Sequence, residues 1–258
     1  MMIVGPIAFA LLVWWLGTSL VLALGRLPDR LERPARYGAA AVYVLTTGGL
    51  IVVQRDPGVA ATYAAFTLAV ASWGALELAY FRGWLTGPTA LPCPPQASSG
   101  ERFHRGVMTS LHHELAVIAT AGLLLVASWS DGQSTGTATF VLLWLMRWSA
   151  KLNLFLGVRN FSTHLLPEPM RYLDTYVRRA RMNALFPFSM IAALAVLAAL
   201  LTDALAATSP PAVQAHGLLL ATLLALAVIE HLLLMVPISD RWLWQWAIPD
   251  SPQREVSR

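Results

Sequence analysis

"SLHHELAVIATAGLLLVAS", residues Ser110 to Ser128, is the stretch on which the fold turns. Most of it is apolar enough for a lipid bilayer, yet His112, His113 and Glu114 stand side by side near its start. Ionisable groups are costly in hydrocarbon and therefore rare there. Composition decides which environment applies. Of 258 residues, 57% are hydrophobic and 12% charged, whereas a soluble domain carries about 25% charged residues. The mean hydropathy is +0.58. The apolar residues fall in long blocks, the pattern of an all-α polytopic membrane helix bundle.

A bilayer core takes about 20 mainly apolar residues per helix, and seven segments qualify, at roughly 3–24, 38–54, 59–82, 104–128, 137–157, 187–207 and 214–237. The second is short and contains "TTGG", Thr46 to Gly49. The N-terminal run lacks the basic region and small-residue cleavage site of a signal peptide, so it is expected to remain as the first span. Residues 1–258 then form a single integral membrane domain.

Arginines set the expected orientation. Of the 18 Lys and Arg residues, fifteen fall in the loops after helices 1, 3 and 5 and in the C-terminal tail. Arg55 alone lies on the opposite side, and Arg147 and Lys151 sit inside the fifth helix. Positive loops stay cytoplasmic, which puts the N-terminus outside and the C-terminus in the cytoplasm. The same bias explains the basic pI without nucleic acid: no helix-turn-helix, zinc finger or aromatic RNA platform accompanies the arginines.

Two loops on that side are long. The first, 83–106, is rich in Pro, Gly and Ser, hence irregular and able to pack over a site. It holds the only cysteine, Cys93, flanked by prolines and read as a small residue; no disulfide or cysteine cluster can form within the chain. In the second, 157–187, Tyr172, Leu173, Tyr176 and Val177 recur at helical spacing among Arg171, Asp174, Arg178 and Arg181. That spacing predicts a short helix lying on membrane lipid, drawn to anionic headgroups. Trp242, Trp244 and Trp246 fit the aromatic belt. Trp14, Trp15, Trp144 and Trp148 lie deeper, either packed or stacked on a pigment ring.

Measured along their helices, Glu77, His113, Glu114, Arg147, Lys151, Glu230 and His231 all lie roughly 8–15 Å from the cytoplasmic ends. Four helices thus place charge in one slab of membrane. Neighbours on a helix diverge by about 100°, so His113 can share a pocket with His112 or with Glu114, but not both. Arg147 and Lys151, four apart, share a face. Three carboxylates (Glu77, Glu114, Glu230) against two fixed cations leave one negative charge for a proton, an imidazolium or a bound cation to balance. The set reads either as a salt-bridged network holding helices in register or as a ligand site. In the second case His113, Glu114, Glu230 and His231 are the candidate metal ligands, with Asn160, His164 and Glu168 as secondary loop candidates.

Several enzyme classes are excluded. Membrane desaturases need more histidines, grouped in His boxes, than the six present here. There is no Glu-x-x-His pair of the di-iron bundles, and no phosphate loop, GxGxxG or catalytic-triad motif.

The segments "MRWSAKLNLFLGVRN" (Met146 to Asn160) and "LLPEPMRYLDTYVRRARMNALFPFS" (Leu165 to Ser189) carry a resemblance, together with "ELAYFRGWLTGP" (Glu77 to Pro88) and "LHHELAV" (Leu111 to Val117). They resemble the photosynthetic complex assembly protein 2, or PuhE-type, family of purple phototrophic bacteria. The resemblance implies a multi-pass protein of the bacterial inner (intracytoplasmic) membrane. Its implied role is assembly of the reaction centre and light-harvesting complex, or bacteriochlorophyll supply to it. Implied partners are the subunits of that complex or pigment-synthesis proteins. The resemblance carries over no catalytic residue, and the His-Glu pair common at its helix 3 position stands here as Leu76-Glu77. The cofactor stays open between bacteriochlorophyll, a precursor of it, and a bound metal ion. Besides an assembly factor, the sequence leaves open a membrane-embedded metal-dependent enzyme of bacteriochlorophyll or carotenoid metabolism and a ligand-free membrane scaffold, with a non-enzymatic role preferred.

Overall fold

Backbone polar groups in lipid must be satisfied within the segment, so long apolar runs wind into helices. The computed structural model describes residues 3–129, 134–161, 163 and 166–236. Its helices are α1 (Val4–Leu24), α2 (Glu32–Val53), α3 (Val59–Phe81), α4 (Ser99–Met108), α5 (Leu111–Ala127), α6 (Thr135–Leu156), α7 (Leu185–Leu205) and α8 (Pro211–Met235). Short 3-10 segments cover Asp29–Leu31 and Glu168–Tyr176. Among the described residues there is no strand, only an isolated bridge between Val158 and Arg179. The chain is a polytopic helical bundle.

Five helical stretches are long and apolar enough to cross a membrane: Val4–Leu24, Asp29–Val53, Val59–Phe81, Leu185–Leu205 and Pro211–Met235. The pair α4 and α5 would add a sixth if it is one broken span. A helix thus lies at each of the seven predicted positions, but length and apolarity alone do not make all seven spans. α6 has the length, 22 residues, but Arg147, Lys151 and Asn153 dilute its apolarity.

The second segment is longer than expected, starting at Glu32 rather than near residue 38. Its Thr-Gly stretch is held inside the helix. Thr46 donates to the Val42 carbonyl at 2.6 Å, and the buried Thr47 hydroxyl bonds Ser72 of α3 at 2.8 Å.

α3 is the hub, packing against α1, α2, α5, α6 and α8. Its buried positions include Ala61, Ala65, Ala69, Ser72 and Ala75. Small residues let helices approach where lipid offers no hydrophobic drive to associate. α8 closes the far side against α1, α6 and α7.

Candidate functional site

The predicted segment 104–128 is not one helix. It breaks at Thr109 and Ser110, and α4 and α5 meet there at a bend of 62°. α4 also starts earlier than expected, so the last part of loop 83–106 is helical. Ser98 caps it by accepting the Glu101 amide at 3.2 Å, a Ser-x-x-Glu start signal. The remaining loop is inserted into the break. The Thr86 carbonyl takes the His113 N–H at 3.0 Å, and the Met108 carbonyl takes the Thr89 N–H at 3.4 Å. Gly87 fills the notch so closely that a Cβ there would lie 1.9 Å from the Met108 carbonyl oxygen and 2.8 Å from the Leu111 nitrogen. Only glycine fits. The bend is therefore built by the "TGP" loop, and it aims the first turn of α5 at α3 and α6.

At that turn His113 is fully buried, and Glu114 is 5% exposed. Glu77 of α3 pairs with Arg147 of α6, and Glu114 pairs with Lys151 one turn further along α6. His113 lies between the two pairs. Its Nε2 is 3.6 Å from Glu77 Oε1 and its Nδ1 3.6 Å from Glu114 Oε1. Both distances exceed hydrogen-bond length. The two ring nitrogens, Glu77 Oε1 and Glu114 Oε2 are all buried without a hydrogen-bond partner. Lys151 also donates to Ser110 Oγ at 3.2 Å.

Tyr80, one turn beyond Glu77, forms one wall of the cluster. Its ring lies 4.8 Å from the His113 ring, with the Arg147 guanidinium at 5.0 Å and Lys151 Nζ at 5.4 Å from its centroid. These cations sit within cation–π range. Two carboxylates thus meet two cations around one imidazole, joining α3, α5 and α6.

The expected four-helix cluster is corrected in three places. Glu230 is exposed and outside the cluster, so the predicted surplus negative charge does not arise at the site. His231 faces the other side of α6. Its Nε2 meets Ser149 Oγ at 3.0 Å and its Nδ1 the Ala227 carbonyl at 2.8 Å. Ser149 is about 200° around the helix from Arg147, which explains the separation. His112 is exposed, so Glu114 is the neighbour that shares the pocket with His113.

The candidate metal set therefore does not assemble. Among the described residues, no three His, Cys, Asp or Glu side chains are placed to hold a metal ion. His113 does not suit a pigment metal either: it is sealed, each ring nitrogen faces a carboxylate, and a planar macrocycle needs an open face.

The secondary candidates act elsewhere. Asn160 donates to the Leu233 carbonyl at 3.3 Å, tying its loop to the end of α8. Glu168 is exposed and pairs with Arg171 at 3.0 Å. His164 lies outside the described residues, as do Trp242, Trp244 and Trp246.

Loop 157–187 holds another correction. The predicted interfacial helix is the 3-10 segment Glu168–Tyr176, and Tyr176 is buried against protein. Its hydroxyl donates to the Leu91 carbonyl at 2.9 Å, its carbonyl accepts from Arg102 at 2.9 Å, and Thr175 Oγ1 accepts the Cys93 N–H at 2.8 Å. The two long loops are thus clasped together. Cys93 is a buried, free thiol at that junction.

Sequence reading missed Tyr80, Ser110 and Gly87, and it missed an asparagine latch. Fully buried Asn153 accepts from Asn183 at 3.0 Å. Asn183 also donates to the Gly157 carbonyl at 2.8 Å. Its side-chain Oδ1 accepts from the Leu185 N–H at 3.0 Å and the Phe186 N–H at 3.1 Å at the start of α7. Gly157 adopts φ +133°, open to glycine alone among ordinary residues. Both asparagines stand in the segments "MRWSAKLNLFLGVRN" and "MNALFPFS", so the polar periodicity of α6 was the available signal.

Similarity to known proteins covers nearly the whole chain. The family described as "Protein of unknown function (DUF3623)" matches residues 1–255. A similar relative is the "Uncharacterized 30.4 kDa protein in puhA 5'region" of Rhodobacter capsulatus, 38% identical over 92% of this chain and 88% of its own length. No solved structure matches.

Proposed function

The chain belongs to the DUF3623 family, and on that premise we propose that it is a membrane assembly factor for the photosynthetic reaction centre and light-harvesting complex, or for bacteriochlorophyll supply to it. The carrying observation is the relative located in the puhA 5' region, a photosynthesis gene region, which aligns over nearly the full length of both chains. The site geometry supports a non-catalytic reading. Each buried carboxylate is engaged by one cation, and the single imidazole lies between them. That arrangement cross-links three helices rather than presenting a nucleophile or base to a substrate. Deleting the gene in a phototrophic host is expected to lower reaction-centre complex or bacteriochlorophyll yield while respiratory growth stays normal. Unchanged pigment and complex levels would remove this reading, and a respiratory defect would replace it with a general membrane role.

The proposal includes seven spans in the inner membrane, N-terminus outside and C-terminus in the cytoplasm, resting on the arginine asymmetry. A reporter active only in the cytoplasm should work when fused after Arg258. The same reporter placed in the "SDGQSTG" loop, 130–136, should be silent. Activity at both positions would show that the number of spans between them is even rather than odd.

A further inference from the structure

We propose that the arginine-bearing end of α2 is a binding site for an anionic phospholipid, with Arg30 and Arg33 on the headgroup phosphate and the outer face of α2 under the acyl chains. A cavity of about 470 Å³ opens there, lined by Asp29, Arg30, Glu32, Arg33, Arg36 and Tyr37. Within it the charges are already sorted. Glu32 accepts from Arg36 at 3.1 Å and from the Trp84 indole N–H at 3.2 Å. The Arg36 guanidinium also lies 5.4 Å from the Trp84 ring. Glu32 is thereby held and neutralised by its own partners. Among the described residues, neither Arg30 nor Arg33 forms an ion pair. The lining therefore keeps two guanidiniums for an outside anion, against the single carboxylate of Asp29.

What lies along the helix from this cavity fixes the kind of anion. α2 packs against α3 and is otherwise the most peripheral of the long helices, with only Thr47 and Leu50 buried. Tyr37, Leu45 and Val52 are 73%, 72% and 69% exposed. Leu45 and Val52, seven residues apart, lie about 20° from one another on an outward stripe, with Tyr37 about 60° round from Val52 at its edge. A Cβ added at Gly38 or Gly48 would meet nothing within 4 Å, so each glycine leaves an open gap in the outer side of α2. Arg33 stands one turn before Tyr37 on the same face. A basic pocket heading an exposed apolar helix face complements an amphiphile with a phosphate head and long chains. A free phosphate would use the pocket but gain nothing from the apolar face. Basic residues at the membrane surface attract anionic lipid at roughly fivefold in affinity per residue, so two are worth about 30-fold.

The test uses the full chain in neutral detergent, titrated with phosphatidylglycerol or phosphatidylcholine, with retained lipid counted by native mass spectrometry. Wild type should retain phosphatidylglycerol in preference to phosphatidylcholine. R30Q/R33Q should weaken that retention about 30-fold. R171Q/R181Q, which removes the same charge from loop 157–187, should change it less than about twofold. Gly48→Leu fills the open gap on that face without touching charge or packing, and should weaken retention severalfold. Equal losses in both arginine pairs would mean general surface attraction and overturn the site, as would equal retention of the two lipids. Displacement by glycerol phosphate at the concentration at which phosphatidylglycerol binds would also overturn it, in favour of a free-phosphate pocket.

Discussion

Lys151→Ala is expected to strip most of the protein from the membrane. The change strands the Glu114 carboxylate, which is 5% exposed and whose cation partner is Lys151. Breaking a buried pair from one side costs on the order of 3–5 kcal/mol, against a total stability of about 5–15 kcal/mol for a typical domain. Losses of that size lower cellular abundance severalfold or more. The double change Glu114→Gln with Lys151→Met removes both charges together, so it should recover much of the loss. His113→Ala should be milder, since it leaves each carboxylate with its own cation. Immunoblots of isolated membranes, with thermal melting of the detergent-purified variants, would measure all three. A double variant no better than Lys151→Ala would show that the pair does not carry the energy assigned to it. If His113→Ala fell as far as Lys151→Ala, the imidazole would be as central as the ion pairs.

Gly87→Ala should be nearly as damaging, though it adds one methyl group. The new Cβ would press on backbone on both sides of the break, at the Met108 carbonyl and the Leu111 nitrogen. Neither can move aside without straightening the bend or expelling the loop. Overpacking usually costs about 1–3 kcal/mol, more when backbone is the obstacle. Expelling the loop would free the His113 N–H and the Thr86 carbonyl that now satisfy one another. Limited proteolysis should show new cleavage between residues 83 and 98, and the melting temperature should drop. Gly100→Ala, at an open position of α4, is the control. Wild-type protease resistance and melting in Gly87→Ala would mean the notch is looser than the geometry requires.

The sequence made the bundle legible because lipid imposes one rule on every span: apolar side chains around a self-satisfied backbone. Glu77, His113, Glu114, Arg147 and Lys151 stood out against that rule. That these five share a depth was legible; which carboxylate meets which cation was not, and the structure supplies the pairing of Glu114 with Lys151. Phase also misled. His231 shares the depth of the cluster but faces Ser149 across the other side of α6, and nothing in one helix fixes the rotation of another. The break before Leu111 was hidden for a different reason. No proline or glycine stands at Thr109 or Ser110; the cause is Gly87, some twenty residues upstream. A bend imposed by a distant loop leaves no local mark. The 3-10 segment at 168–176 was similarly disguised, because an amphipathic pattern is the same whether its apolar face meets lipid or the Leu91–Cys93 loop.

The ion pairs also bear on how the chain is made. Glu77 and Glu114 leave the ribosome before Arg147 and Lys151 exist, and α6 carries both cations. Placing a lysine or arginine at the centre of a lone helix costs about 2.5–3.5 kcal/mol during insertion, so α6 is poorly suited to enter lipid by itself. The two acidic helices, synthesised first, supply the counter-charges that make its entry favourable. Under the seven-span reading proposed above, α3 and α5 would act as a template for α6, and the order of residues along the chain would double as an order of insertion.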